Sequence, residues 1–255
     1  ATLARIRRGG RWSRSGAYKL TNWIEEEEDL LSFKGPPAPV LWIRELRILD
    51  HLEPQLTKLI RRIEFSLGLN IVWARPSDPD EPEPRARGRG HDVGKSTLCR
   101  LIRHLMGEKT YGTDTTRWAL SAAKDLSRTW AVGELVVRNK PCTVVRALYA
   151  GGRSFAVRGA TIDKALVSDR KDRIKLEDFY GWLESEMLQD LPIRSFDLEG
   201  SRSIQWLHLL EWLARDQETH LANTFSWRDQ ASHSHSPDLS IADGWFLTRC
   251  VLGII

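Results

Sequence analysis

The stretch Gly90-His91-Asp92-Val93-Gly94-Lys95-Ser96-Thr97 decides how this chain is interpreted, because its residue types are hard to explain by folding alone. A Gly-Lys-Ser-Thr run at the start of a helix gathers backbone N–H groups, one ammonium and one hydroxyl around a single anionic point. That arrangement suits the β- and γ-phosphates of a nucleotide together with Mg²⁺. The sequence therefore predicts a phosphate-binding loop.

The residues on both sides of this loop agree with that prediction. After the loop, apolar residues repeat at helical spacing, and charged residues lie off their stripe. The stripe consists of Leu98, Leu101, Ile102 and Leu105, and the residues off it are Arg100, Arg103 and His104. Before the loop, residues 69–74 form an apolar, β-branched run of strand length. The expected order is therefore strand, loop and helix.

This geometry gives the loop residues their roles. We expect Lys95, the catalytic residue of the site, to reach the β- and γ-phosphates, and Ser96 to hold Mg²⁺ through its hydroxyl. The amides of residues 90–97 bind the remaining phosphate oxygens at the helix N-terminus in this interpretation. Two features depart from the usual pattern. Arg89 stands where a glycine is expected, and the Asp92 carboxylate has to point away from the phosphates.

The 255 residues carry a formal charge of +4, and the basic charge is concentrated at the beginning of the chain. Residues 1–24 contain six Lys or Arg and no acid. Subtracting these six charges from +4 leaves residues 25–255 with a net charge of −2. We expect a flexible tail that contacts nucleic-acid phosphates or a protein, or is only solvated.

The acidic run 25–29 predicts the start of a helix. Residues 35–39, with three prolines, then mark a boundary before a globular body over residues 40–255.

Several sequence features limit the cellular location and the chemistry that can be expected of this chain. No run of eighteen apolar residues and no secretory signal occurs in the sequence, so no membrane span or membrane partner is expected. Cys99, Cys142 and Cys250 are far apart and lack metal-type spacing, which predicts buried thiols in a reducing cytoplasm. His233 and His235 lie in a serine-rich stretch without nearby Cys or acids, so we expect a solvated loop there.

The remaining patterns predict further elements of an α/β domain. Residues 40–49 predict one strand, and the alternating Ile63, Phe65 and Leu67 predict a second. Residues 75–87 are rich in proline and acids and predict an exposed insertion. A helix is expected over residues 115–127, followed by an antiparallel β meander over residues 129–159. The strands of this meander are expected over residues 130–138, 142–149 and 154–158.

Two more helices are predicted after the meander. They cover residues 176–188 and 204–220. The second contains Trp206 and Trp212, which we interpret as packing residues rather than stacking surfaces for a ligand.

This order of elements resembles the N-terminal lobe of ABC-type P-loop ATPases. The likeness is carried by Gly68-Leu69-Asn70-Ile71-Val72, which leads to the Gly-Lys-Ser-Thr loop, a helix, a β meander and further helices. Within that class the chain is most similar to the structural-maintenance-of-chromosomes and double-strand-break-repair branch, and to related bacterial defence ATPases. The resemblance implies an α/β P-loop NTPase fold of ABC type over residues 40–255, with an antiparallel β subdomain and flanking helices.

The resemblance also implies a function: an ATP- and Mg²⁺-binding lobe that acts on or near DNA, in repair or in anti-phage defence. In that family a second lobe carries a Leu-Ser-Gly-Gly-Gln signature and the Walker B acids, and neither motif occurs here. We therefore expect hydrolysis only with a second lobe or a homodimer partner, because the attacking water must be oriented. The apolar residues 251–255 agree with missing sequence or with a surface for another complex subunit.

Members of the family have a glutamine after the meander that senses Mg²⁺ and the γ-phosphate. Gln217 and Gln230 are candidates for the nucleotide and Mg²⁺ ligand, and of these two we favour Gln217. A surface glutamine without that role is the better single interpretation. Two other functions stay open. One is a P-loop kinase for a small molecule, against which the β meander argues, since such kinases continue with parallel strands and helices. The other is a scaffold subunit in which ATP only drives association.

Overall fold

The computed structural model describes residues 39–53, 57–72, 95–109, 111, 128–149, 152–189, 191, 203–214 and 240–251. The strands are β1 (Leu41–Leu49), β2 (Leu59–Glu64), β3 (Trp130–Val137), β4 (Lys140–Ala147) and β5 (Phe155–Arg158). The helices are α1 (Lys95–Leu105), α2 (Ile162–Leu166), α3 (Leu176–Leu188), α4 (Trp206–Leu213) and α5 (Ile241–Val251). A 3₁₀ turn over Arg170–Asp172 connects α2 to α3.

The strands form a five-stranded sheet in the order β2-β1-β3-β4-β5, and every neighbouring pair is antiparallel. A two-residue turn of Arg138 and Asn139 joins β3 to β4, and both residues have positive φ, at 45° and 64°. This is the backbone geometry of a type I′ hairpin, which asparagine tolerates well. β3 is buried over its full length because it lies between two paired strands and is covered on both faces.

One face of the sheet is covered by α1, α3 and α4. Leu135 of β3 and Val144 of β4 belong to this core, together with Leu105 of α1 and Phe179 of α3. α1 lies close to the sheet because Gly133 has no side chain: a Cβ at this position would be 2.7 Å from Cδ1 of Leu105. The contact between α1 and β3 therefore depends on a glycine in the strand.

The opposite face carries a second apolar cluster, in which Val132, Val145 and Phe155 pack with Ile162 and Ala165 of α2. Side chains of β1 and β2 beside this cluster form ion pairs. These are Arg44–Glu134 at 2.8 Å, Arg62–Glu45 at 2.7 Å and Arg47–Asp163 at 2.6 Å. The second oxygen of Glu134 also accepts the N–H of Ile162 at 3.2 Å, so the start of α2 is fixed to β3.

The structure confirms a mixed α/β class and several predicted elements. The Gly-Lys-Ser-Thr run does open a helix, α1, and β3, β4 and β5 lie where three antiparallel strands are predicted. α3 has the predicted bounds, and Trp206 of α4 is 3% exposed, as expected of a packing residue. Cys142 and Cys250 are buried free thiols, whereas Cys99 is partly exposed.

The expected arrangement of the sheet is corrected. The resemblance implies an antiparallel β subdomain within a P-loop fold, but β1 pairs with both β2 and β3, so that all five strands form one continuous antiparallel sheet. Within the described residues no strands pair in parallel, so this part of the chain does not display the parallel sheet of a P-loop fold. The physical reason is that alternation of apolar and polar side chains predicts a strand but does not determine which other strand it pairs with.

The strands near the loop also differ from expectation. β2 ends at Glu64, so Phe65 and Leu67 follow the strand instead of forming it. The strand predicted over residues 69–74 is not formed in its described part: residues 69–72 are irregular and exposed. The β-branched composition of these residues indicates propensity only, because a strand also needs a neighbour to accept its hydrogen bonds.

Other predictions fall outside the described residues. These are the tail and acidic helix within residues 1–38, the insertion 75–87, the helix 115–127, His233 and His235, residues 215–220 of the helix predicted over 204–220, and residues 252–255. The side chain of Trp212 is also outside them. No helix in the described part of the chain is long and apolar enough to cross a membrane.

Candidate functional site

The N-terminus of α1 is the place where the predicted phosphate site begins. α1 starts at Lys95, and its first turn contains no acidic residue. The free N–H groups and the dipole of a helix make such an end favourable for an anion. Thr97, whose side chain is described, is exposed. The backbone of this end of the helix therefore has the properties that an anion-binding site requires.

The rest of the predicted site lies outside the part of the chain that the structure describes. Residues 90–94 and both Gln217 and Gln230 lie outside the described residues, and Lys95 and Ser96 are described only in their backbone. The roles of Lys95 at the phosphates and of Ser96 and Gln217 at Mg²⁺ stay predictions. Among the residues that the structure describes, no three His, Cys, Asp or Glu side chains are grouped so that they could hold a metal ion.

The predicted apolar stripe fixes α1 to the sheet, since Leu98, Leu101 and Leu105 are at most 8% exposed. Cys99, in the first half of the helix, lines an apolar cavity together with Leu41 at the start of β1. Ile102 and Met106 line the same cavity, so α1 passes beside the start of β1 along much of its length. A phosphate-binding loop on this helix would have a rigid support.

The other end of α1 is held by Arg146 of β4, which the sequence patterns do not single out. Its Nη1 donates to the carbonyl oxygen of His104 and, at 2.7 Å, to that of Glu108. Its Nη2 donates to the carbonyl oxygen of Lys109 at 3.1 Å. Carbonyls at a helix C-terminus lack partners within the helix, so Arg146 caps this end. One feature of the sequence could have indicated this role. Arg146 follows the core residues Cys142 and Val144 at two-residue spacing, so it is a charged residue on the same face of β4.

The helical pattern predicts that Arg103 and His104 lie off the apolar stripe, but both are buried. Arg103 is compensated by Glu108, with Nε and Oε2 3.1 Å apart. Burial, together with the charge of Arg146, lowers the pKa of His104 to about 3. The imidazole is therefore neutral at physiological pH. The buried side of α1 is wider than its apolar stripe because the helix is covered on more than one side.

These buried groups are not suited to proton transfer near neutral pH. His104 stays unprotonated, and burial raises the pKa of Tyr180 to about 12. The hydroxyl of Tyr180 donates to the carbonyl oxygen of Leu105 at 3.0 Å, so it also caps the end of α1. The cluster therefore holds the C-terminal end of α1 in place, whereas the predicted phosphate site lies at the opposite end of this helix.

Comparison of the chain with protein-family models, curated proteins and solved structures finds no match. The likeness to ABC-type ATPases therefore rests on the residues of the loop and on the order of the elements. Any function has to follow from those residues and from the packing of α1.

Proposed function

We propose that the chain is the Mg·ATP-binding lobe of an ABC-type ATPase, with residues 90–97 as its phosphate-binding loop. The observation that carries this proposal is the position of Gly-Lys-Ser-Thr at the start of α1, a helix held firmly in the core. The amides of the first turn, the Lys95 ammonium and the Ser96 hydroxyl would surround the phosphates and Mg²⁺. An anion is further favoured by the absence of acids in that turn.

Hydrolysis in this proposal depends on a second lobe or a second copy of the chain. The sequence contains no signature motif and no apolar run that ends in Asp-Glu. The lobe would bind and position the triphosphate, while the partner would supply the groups that orient the attacking water. Nucleotide binding and turnover are therefore separable properties of this chain.

Segment 66–72 supports the view that the lobe is incomplete. Leu69 is 87% exposed and Ile71 is 79% exposed, although both are residues that usually pack. The segment is held locally by Asn70, whose side-chain oxygen accepts the N–H of Ser66 at 2.8 Å and whose amide donates to the Ser66 carbonyl at 2.7 Å. An exposed aliphatic run with strand-forming residues is typical of a surface that another polypeptide covers.

Action on or near DNA, in repair or in anti-phage defence, is part of the same proposal. It is supported by the family resemblance and by the six cations of residues 1–24. A small-molecule kinase is disfavoured, because α1 is followed by the antiparallel strands β3, β4 and β5. P-loop kinases alternate strands and helices around a parallel sheet.

Isothermal titration calorimetry with ATP, in the presence and absence of Mg²⁺, tests the proposal on the native chain and on Lys95→Ala. We expect binding with a Kd on the order of micromolar that the substitution abolishes, because it removes the cation at the phosphates. Lys109→Ala is the matched control: it removes the same charge from an exposed position just beyond the other end of α1. A native chain that does not bind ATP, or equal losses in both variants, would refute the proposal.

A further inference from the structure

A cleft of about 790 Å³ lies at one end of the sheet. The end of β1, the start of β3 and the end of β4 meet there, since Trp130 pairs with Leu49 on one side and with Ala147 on the other. The residues just before β5 also line it. The lining also includes the segment between α2 and α3, with Arg170 of the 3₁₀ turn, and Ile174 of this segment pairs with Ala156 of β5.

This cleft is remote from the start of α1. Trp130 and Phe155, which line the cleft, belong to the apolar cluster on the α2 face of the sheet. α1 packs on the other face. A ligand in the cleft would therefore not occupy the phosphate-binding loop.

The cleft is strongly basic. Its lining contains five cationic side chains and two carboxylates: Arg128, Arg153, Arg170, Arg173 and Lys175 against Asp50 and Glu53. The Asp50 carboxylate is already engaged, because it accepts the N–H of Lys58 at 2.6 Å. Arg128, Arg153, Arg170 and Lys175 are exposed and form no ion pair with another described residue. Such an excess of positive charge attracts a polyanion.

Arg173 is fixed in a position suited to an anion. Its Cζ lies 4.2 Å from the centroid of the Phe155 ring, and Nη2 donates to the Ser168 carbonyl at 3.1 Å. A guanidinium has five N–H donors, so this contact leaves donors for a phosphate. Because Phe155 and Ser168 already restrict the side chain, little conformational entropy is lost when a ligand binds.

An aromatic side chain lies among these cations. Tyr149 is partly exposed, lines the cleft, and packs edge to face against Trp130 with their ring centroids 5.5 Å apart. Cations that follow a groove, together with an aromatic ring that meets a base, are the features by which proteins bind single strands. A duplex keeps its bases stacked inside, so a ring contact requires an unpaired strand.

We propose that this cleft binds single-stranded nucleic acid, with its cations at successive phosphates and Tyr149 against a base. The cations come from three separate segments, around residues 128, 153 and 170–175, and line a cleft of about 790 Å³, which suits a chain of phosphates better than a single anion. The proposal is independent of ATP binding by residues 90–97. It also places a nucleic-acid contact in the folded body, in addition to the one that the sequence predicts for residues 1–24.

Fluorescence anisotropy with a labelled oligothymidylate of about 15 nucleotides, a length within the usual range of single-strand sites, tests the proposal on the full chain. Arg170→Glu combined with Lys175→Glu should weaken binding by about tenfold or more. The pair should also reduce the salt slope by roughly 1.4, because each of the two phosphates that it releases contributes about 0.7. Arg61→Glu combined with Lys140→Glu is the matched control, since both residues are exposed and lie outside the cleft. Residues 1–24 are the same in every variant.

A second pair, Arg128→Glu with Arg153→Glu, reverses the charge of the other cationic segments of the cleft and should have the same effect. This pair keeps the test decisive if circular dichroism shows that the first pair does not fold. Lys95→Ala should bind the oligonucleotide like the native chain, which separates this proposal from nucleotide binding. Unchanged affinity in the folded cleft variants, or an equal loss in the control, would overturn it. So would a duplex of the same length, or polyglutamate, that binds the cleft as tightly as the single strand.

Discussion

The β3–β5 meander and segment 66–72 have similar composition but differ completely in their packing. Every residue of β3 is buried, whereas Leu69 in segment 66–72 is 87% exposed. β3 pairs on both edges and is covered on both faces, while the segment has no partner strand among the described residues. The difference shows that strand-forming residues become a strand only where a neighbour exists.

The largest expected effect comes from placing the same charge in both regions. Val144→Asp puts a carboxylate at a fully buried position of the meander and should destabilise the protein by about 4 kcal/mol or more. Ile71→Asp changes a residue that is 79% exposed and should alter the free energy of unfolding by less than about 0.5 kcal/mol. Urea denaturation measures both. A large loss in Ile71→Asp would show that segment 66–72 is packed within the chain.

The contact between the meander and α1 should be the next most sensitive. Arg146→Met removes the guanidinium donors to the carbonyls of His104, Glu108 and Lys109, of which His104 keeps the N–H of Gly107 at 3.3 Å, at a cost of roughly 3 kcal/mol. Arg61→Met, at an exposed position of β2, is the control and should change stability by less than about 0.5 kcal/mol. Equal midpoints of urea denaturation for the two variants would mean that Arg146 does not support the helix.

His104 makes the stability of this contact depend on pH. Its pKa in the folded protein is about 3 against an ordinary value of 6.5, so unfolding binds a proton below pH 6.5. The stabilisation is complete above pH 6.5 and is lost as the pH falls, by about 2 kcal/mol at pH 5. His104→Gln cannot be protonated and should lose about 2 kcal/mol less than the native chain between pH 7.5 and pH 5. Parallel pH profiles from denaturation at each pH would contradict this assignment.

The smallest effects are expected at two glycines. Gly133→Ala should destabilise by about 1 to 2 kcal/mol, because the new Cβ would lie 2.7 Å from a methyl of the fully buried Leu105. Gly181→Ala, inside α3, meets no atom within 4 Å and should stabilise by about 0.5 to 1 kcal/mol. Opposite shifts in thermal midpoint support the close packing of α1 on β3. Shifts of the same sign would oppose it.

Local patterns are enough for the elements that make their own hydrogen bonds or that turn sharply. The periodicity of α3 and the turn at Asn139 specify a helix and a hairpin without reference to distant residues. The pairing of β1 with β3 could not be predicted in the same way, because it joins residues about ninety positions apart. The local sequence of neither strand identifies the other as its pairing partner.

The candidate sites also differ in how far local sequence predicts them. The start of α1 at Lys95 follows from the Gly-Lys-Ser-Thr run, since such a run is typical of a helix N-terminus that binds phosphate. Arg146 and the basic cleft depend on contacts between separate segments. The cleft takes Arg128, Arg153 and Arg170 from three different parts of the chain, and only the fold places them together.

Hydrogen exchange of the native chain with and without Mg·ATP tests the central claim most directly, because phosphate oxygens would accept hydrogen bonds from the amides at the start of α1. We predict slower exchange in residues 90–97 with Mg·ATP and no change in β4, while Lys95→Ala shows no slowing in residues 90–97. Unchanged exchange in residues 90–97 at saturating Mg·ATP, or equal protection in Lys95→Ala, would contradict the assignment of this loop to nucleotide binding.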